Sequence, residues 1–202
     1  MTDRPEPAKR RWFGLSAGAS NWLWLALAVI VADRITKYLV MQHFEEFEEI
    51  VLLPVLNLIR LHNEGAAFSF LSEASGWQRW AFTALGLVVS VGILVWLRRL
   101  PARGHGLLAA GLSLVLGGAL GNVIDRVAYG YVIDFIRVHY GEWYFPAFNV
   151  ADSAITVGAV LLILDNVFDF GRARRRARSE ASAPGAERSA RDGIPDPSEK
   201  NP

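Results

Sequence analysis

The 202-residue chain contains no cysteine, which excludes disulfides, thiolate nucleophiles and Cys-based zinc or iron–sulfur centres together. Its four histidines, His43, His62, His105 and His139, show no His-x3-His or comparable spacing, so no metal site is expected. A glycine-rich phosphate loop and a serine-nucleophile elbow are also missing. Any chemistry is thereby left to carboxylates, hydroxyls, Lys or His. Almost no net charge is present either, +1 in all, but the charges stand in blocks of opposite sign, so position matters more than total.

What the chain does have is apolar surface. At 52% hydrophobic and 11% aromatic it is too apolar for an ordinary small soluble domain, and a membrane protein is expected. Four stretches approach the roughly 20 residues a helix needs to cross a bilayer: Trp22–Val40, Trp77–Leu97, Leu107–Ile124 and Val150–Phe168. Arg4, Lys9, Arg10 and Arg11 precede the first, Arg98, Arg99 and Arg103 separate the second from the third, and Arg172, Arg174, Arg175, Arg176 and Arg178 follow the fourth. By the positive-inside rule these segments are cytoplasmic, which puts both termini inside and the connections 41–76 and 125–149 outside. A basic start before an apolar run also fits a cleavable signal peptide. Three further spans, and charges within the first, favour a retained helix.

The expected organisation is a basic cytoplasmic N-terminus over 1–21, a four-helix transmembrane domain over 22–168, and a disordered cytoplasmic tail over 169–202, where few large aliphatic residues are available to bury. In the first outer connection, Ile50–Leu53 and Val55–Leu61, split by Pro54, predict two short strands lying on the membrane surface. The second mixes Tyr129, Tyr131, Phe135, Tyr140, Trp143, Tyr144 and Phe145 with charges and is expected to rest on the bilayer.

Charges inside a membrane helix cost on the order of 3 kcal/mol each and mark functional sites by default. Asp33 and Lys37 lie one turn apart in the outer half of the first span, in the order that favours an ion pair. Asn122, Asp125 and Arg126 end the third span, and Asn149 and Asp152 begin the fourth. Three helices thus bring polar groups to the outer boundary. Each admits a purely structural reading: a pair bolting the bundle, a polar helix cap, or, for Asn63 in the turn before Glu64 and Gly65, a turn residue. Gly117 and Gly121 form a small-xxx-small pattern for close helix packing.

Asp134, flanked by Ile133 and Phe135, and Asp152 remain. They are either two unrelated interfacial aspartates or a facing pair that shares one proton, because like charges in contact cannot both ionise in a poorly solvated site. Such a pair can hydrolyse a peptide bond without a covalent intermediate.

Five segments, in order on this frame, carry a resemblance: Asp33-Arg34-Ile35-Thr36-Lys37, Asn63-Glu64-Gly65-Ala66-Ala67-Phe68, Gly121-Asn122-Val123-Ile124-Asp125-Arg126, Val132-Ile133-Asp134-Phe135 and Phe148-Asn149-Val150-Ala151-Asp152-Ser153. From about Trp22 to Val167 the chain resembles the bacterial lipoprotein signal peptidases, the signal peptidase II family. The resemblance implies an all-α membrane fold of four transmembrane helices with a small extracytoplasmic β-cradle and a short interfacial helix near Phe68. It implies an aspartic endopeptidase of the inner membrane that removes signal peptides from proproteins after a diacylglyceryl group has been attached to the cysteine that becomes the new N-terminus. Asp134 and Asp152 become the catalytic pair, with Asp33, Lys37, Asn63, Asn122, Asp125, Arg126 and Asn149 supporting the site or binding substrate. No cofactor is implied. The partners are lipid-modified prolipoproteins and membrane lipids, without nucleic acid, and the enzyme is expected to be a monomer.

The competing class is a transporter or proton relay, which also uses buried acids and lysine. Against it, the polar groups gather at one depth and the inner halves of the helices are nearly uncharged. A non-catalytic assembly factor is separated by its tolerance of neutral replacements at Asp134 or Asp152.

Overall fold

Apolar runs with few helix breakers form the helices, and the β-branched, aromatic-rich stretches between them form one sheet. The computed structural model describes residues 17–65, 76–101 and 104–181. The elements are α1 (Ala17–His43), β1 (Glu49–Leu53), β2 (Leu56–Asn63), α2 (Trp77–Arg99), α3 (Gly106–Ala128), β3 (Val132–Tyr140), β4 (Trp143–Tyr144) and α4 (Val150–Ala181). The chain divides into two compact units, 1–162 and 163–202. In the second, α4 continues as helix through Ala181. The tail expected to be disordered from residue 169 is therefore helical over its first part, since Arg, Ala and Glu are good helix formers and extending an existing helix is cheaper than nucleating one. The interfacial helix expected near Phe68 lies outside the described residues.

In the first unit α3 is the central helix. Gly117 faces the Ala26 carbonyl of α1, and a Cβ there would stand 2.7 Å from it. On the opposite flank Gly118 meets the Ala151 carbonyl of α4. Side chains at either position would hold the backbones apart, which is the packing logic of the small-residue pattern. A cluster of Ala26, Ile93, Leu97, Ala109, Leu112 and Leu116 ties α1, α2 and α3 together. Outward residues such as Leu85, Val88, Val91 and Trp96 on α2 are exposed. Among the described residues three helices are long and apolar enough to cross a membrane, at Trp77–Arg99, Gly106–Ala128 and Val150–Gly171. The first expected span differs from these in carrying Asp33, Arg34 and Lys37.

The sheet is antiparallel in the order β1-β2-β3-β4. β1 and β2 turn at Pro54–Val55, where Leu53 pairs with Leu56, close to the expected strands. β3 and β4 were not expected: the connection between α3 and α4 supplies an inner strand and an edge strand of the sheet. β3 places Val132, Ile133, Asp134 and Phe135 all in buried positions, so this stretch shows no alternation of apolar and polar residues. Its register on β2 pairs Leu61 with Asp134 and Asn63 with Val132, and the two-residue period puts Asn63 and Asp134 on one face. Phe148 then docks on β3: its carbonyl accepts the N–H groups of Phe135 at 3.1 Å and Ile136 at 2.8 Å, and its own N–H donates to Ile136 at 3.0 Å. That contact carries Asn149, the next residue, to Asp134.

Candidate active site

Asn149 stands immediately before α4 and closes its first turn. Its side-chain Oδ1 accepts the Asp152 backbone N–H at 2.9 Å, while Asp152 Oδ2 accepts the Asn149 backbone N–H at 3.2 Å. This reciprocal pair is a capping box built from Asn and Asp, and it satisfies N–H groups that a helix start otherwise leaves open. With its oxygen so engaged, Asn149 turns its Nδ2 away from α4, where it donates to Asp134 Oδ1 at 2.8 Å and approaches Asn122 Oδ1 at 3.2 Å and the Ile133 carbonyl at 3.3 Å. One asparagine therefore touches both acids.

Two further asparagines repeat the arrangement. Asn63 Oδ1 accepts the Gly65 N–H at 2.9 Å, and its Nδ2 donates to Asp134 Oδ2 at 2.9 Å. Asn122 Oδ1 accepts from Lys37 Nζ at 3.1 Å, and its Nδ2 donates to Asp152 Oδ1 at 2.7 Å. In each case a group that can only donate fixes the oxygen, so the amide nitrogen must face a carboxylate. Asp134 is buried, with 3% of its surface exposed, whereas Asp152 is only half-buried. Burial pushes the Asp134 carboxyl up to about 7; donation from Asn63 and Asn149 and the charge of Lys37 oppose this, and the neighbouring charge of Asp152 adds to it. The apolar flanks Ile133 and Phe135 are buried as the sequence suggests, but the amide donors come from elements distant in the chain.

Behind the pair lies an ion cluster. Lys37 Nζ is fully buried and meets Asp33 Oδ2 at 2.9 Å, Asp125 Oδ2 at 2.6 Å and Asn122 Oδ1. Three oxygens thus surround the ammonium, two carboxylates in ion pairs and one amide in a hydrogen bond. Arg34 bridges the same two acids, 2.8 Å from Asp33 Oδ2 and 2.5 Å from Asp125 Oδ1, and reaches the Gly121 carbonyl at 3.3 Å. Two acids and two cations balance, as a buried cluster must. Asp33 Oδ1 also accepts the Ala151 N–H of α4 at 3.1 Å, and the Ile133 N–H points to Asp125 Oδ2 at 3.4 Å.

The acids thus fall into two sets. Asp134 and Asp152 share Asn149, while Asp33 and Asp125 share Lys37 and Arg34. Arg126 stands over the Phe82 ring at 5.2 Å, with its Nη1 3.4 Å from the Asn122 carbonyl and within electrostatic reach of Asp152, Asp134 and Asp125. Every expected site residue lies in this region. Arg34 is the member of the cluster that sequence reasoning left out; a second cation beside Asp33 within an apolar segment was the signal. Among the described residues no three His, Asp or Glu side chains are grouped to hold a metal ion.

These features define a small helical membrane protein whose carboxyl pair is clamped by amides at one end of its helices. The model of the signal peptidase (SPase) II family matches residues 25–168, and the chain belongs to that family; it is a membrane peptidase. It is 55% identical over 150 residues to the lipoprotein signal peptidase of Pseudomonas fluorescens (strain Pf0-1), covering 73% of this chain and 88% of that one. It is 49% identical over 147 residues to the lipoprotein signal peptidase of Acinetobacter baylyi, covering 73% and 82%. Among solved structures, a bacterial membrane enzyme determined by the in meso method at 2.3 Å matches with a TM-score of 0.65 and 28% identity over 76% of this chain and 91% of that one. Membership of a peptidase family sets the transporter alternative aside.

Proposed function

We propose that the chain is an aspartic endopeptidase that removes the signal peptide from diacylglyceryl-modified proproteins, cutting just before the lipidated cysteine. The observation that carries this reading is that Asn149 holds both acids, donating its side-chain Nδ2 to the Asp134 carboxyl and its backbone N–H to that of Asp152, with the Asp134 carboxyl poised near neutrality. Asp152 sits in the first turn of α4, where the helix dipole favours its negative charge. Its carboxylate takes a proton from water as the oxygen attacks the scissile carbonyl carbon. Neutral Asp134 donates a hydrogen bond to the carbonyl oxygen as charge develops there. Collapse of the tetrahedral intermediate breaks the C–N bond, and the proton held by Asp152 passes to the leaving amine. The signal peptide leaves as a carboxylic acid and the cysteine becomes a free N-terminus.

The same reading makes α1 the fourth span, because pairing Asp33 and Asp125 with Lys37 and Arg34 removes net charge from its outer half. The connections α1–α2 and α3–α4 build one sheet, so they share a side of the membrane, opposite Arg98, Arg99 and Arg103. The positive-inside rule makes the sheet side the outer face of the inner membrane and puts both termini in the cytoplasm. There a lipid-anchored cysteine holds its neighbouring peptide bond near headgroup depth, which positions the substrate. The purified full chain should cut a synthetic proprotein peptide carrying diacylglyceryl-cysteine and leave the unlipidated peptide largely intact. Equal cutting of both, or an active Asp134→Asn variant, contradicts the proposal.

A further inference from the structure

The three asparagines that aim their amide nitrogens at the acids differ in what locks their oxygens. Asn63 is locked by the Gly65 backbone N–H and Asn149 by that of Asp152. Backbone donors are fixed by the fold. Asn122 alone is locked by side chains: Lys37 Nζ at 3.1 Å, from another helix 85 residues away in the chain, with Asn149 Nδ2 beside it at 3.2 Å. An asparagine amide presents a donor at one end and an acceptor at the other, and the two ends are nearly equal in shape. Were Asn122 to flip, its oxygen would face Asp152 Oδ1, acceptor against acceptor. Lys37 prevents this because an ammonium has no acceptor to offer a flipped NH2.

We infer that Lys37 is a positioning residue for the acid pair, acting through Asn122, and that the ion cluster in α1 and α3 exists to hold its ammonium for that purpose. The inference rests on the peptidase reading above. Lys37 itself cannot touch substrate: it is wholly buried, ion-paired to Asp33 and Asp125 and hydrogen-bonded to Asn122. Arg34 is the residue that frees it for this role. By bridging Asp33 and Asp125 it supplies the second positive charge that two acids require, so that Lys37 need not balance both alone and also reaches a neutral amide. The charged groups acting on the pair are Lys37 and Asp33 from α1 and Arg126 from α3. Lys37 is among the groups that hold down the proton affinity of Asp134.

The test uses the full chain in lipid or detergent with the diacylglyceryl-cysteine peptide, measured as pH profiles of kcat and kcat/KM. Lys37→Met should lower kcat by about 10- to 100-fold with little change in KM, since substrate contacts are intact while the base is misplaced. Both limbs of the pH profile should move upward, by about one unit, because a positive charge near the pair is gone. Lys37→Met with Asp125→Asn keeps the cluster neutral and guards against loss of folding.

Asn122→Asp is an independent check. It offers Lys37 a better partner, so the fold is kept, but it turns an acceptor toward Asp152. Its kcat should fall by at least as much and its pH limbs should also rise. Folded Lys37 variants with wild-type kcat and pH limbs overturn the inference; if they do not fold, an Asn122→Asp enzyme with unmoved limbs overturns it. A wild-type chain that fails to cut, or an active Asp134→Asn, would instead remove the acid pair itself and this inference with it.

Discussion

Asp33 Oδ1 accepts the backbone N–H of Ala151 at 3.1 Å, which pins α1 to the residue just before Asp152. The same carboxylate holds Lys37 and Arg34 through its other oxygen. Removing it by Asp33→Ala would leave Asp125 alone to balance two cations, one of them fully buried, and would strand one backbone donor. A loss of about 3–5 kcal/mol is expected, read as a large fall in thermal stability in detergent. A variant with unchanged stability would mean that the cluster is not a bolt between α1 and α4.

The division of the acids predicts a division of phenotypes. Asp134→Asn and Asp152→Asn should each abolish cleavage with the protein still inserted, because an amide keeps the shape of a carboxyl but cannot transfer its proton. Asp125 faces Lys37 and Arg34, so Asp125→Asn should lose stability yet retain measurable turnover. Equal and complete loss of activity in all three folded variants would show that the pair has been chosen wrongly.

Much of this is legible in the sequence. The apolar runs and the clustering of polar residues at span ends follow from the price of charge in a membrane, and Asp134 stood out by its apolar neighbours. What escaped was pairing. Val132–Phe135 is buried throughout, so its strand lacked an alternating pattern, although Ile136-Arg137-Val138-His139-Tyr140 beyond it does alternate and ends at Gly141. Nor does spacing tell that Phe148 bridges to Ile136 and brings Asn149 to Asp134, or that Lys37 meets Asn122. Those contacts depend on strand register and helix packing, which a linear pattern does not encode.

Close packing around the site can be tested by adding a single methyl group. A Cβ on Gly121 would lie 2.9 Å from Asp33 Oδ2 and 3.2 Å from the Ala151 Cβ, so Gly121→Ala must push the ion cluster or α4 aside. A destabilisation of about 1–3 kcal/mol is expected, with reduced activity. Gly92 on α2 has nothing within 4 Å of its Cβ position, and Gly92→Ala should be neutral or slightly stabilising through helix propensity. Thermal unfolding of the two variants side by side checks the contrast, and equal behaviour would contradict the tight α3 contact.

The raised proton affinity of Asp134 has a consequence for stability that is separate from catalysis. Its carboxyl lies up at about 7 in the folded protein, against 3.8 for an unperturbed aspartate. The folded state therefore holds this proton more tightly than the unfolded state does. The stabilisation from that proton is complete below pH 4 and is lost as pH rises from there through about 7, on the order of a few kcal/mol in all. Asp134→Asn cannot ionise and escapes the loss. Relative to the wild type, this variant should become more stable as pH is raised from 5 to 8, the reverse of what the loss of a salt-bridged acid would give. Infrared difference spectra add the location of the proton: a protonated-carboxyl band in the wild type near pH 6 should vanish in Asp134→Asn and persist or shift in Asp152→Asn. A stability difference that does not change with pH, together with loss of the band only in Asp152→Asn, would place the proton on Asp152 and exchange the roles of acid and base.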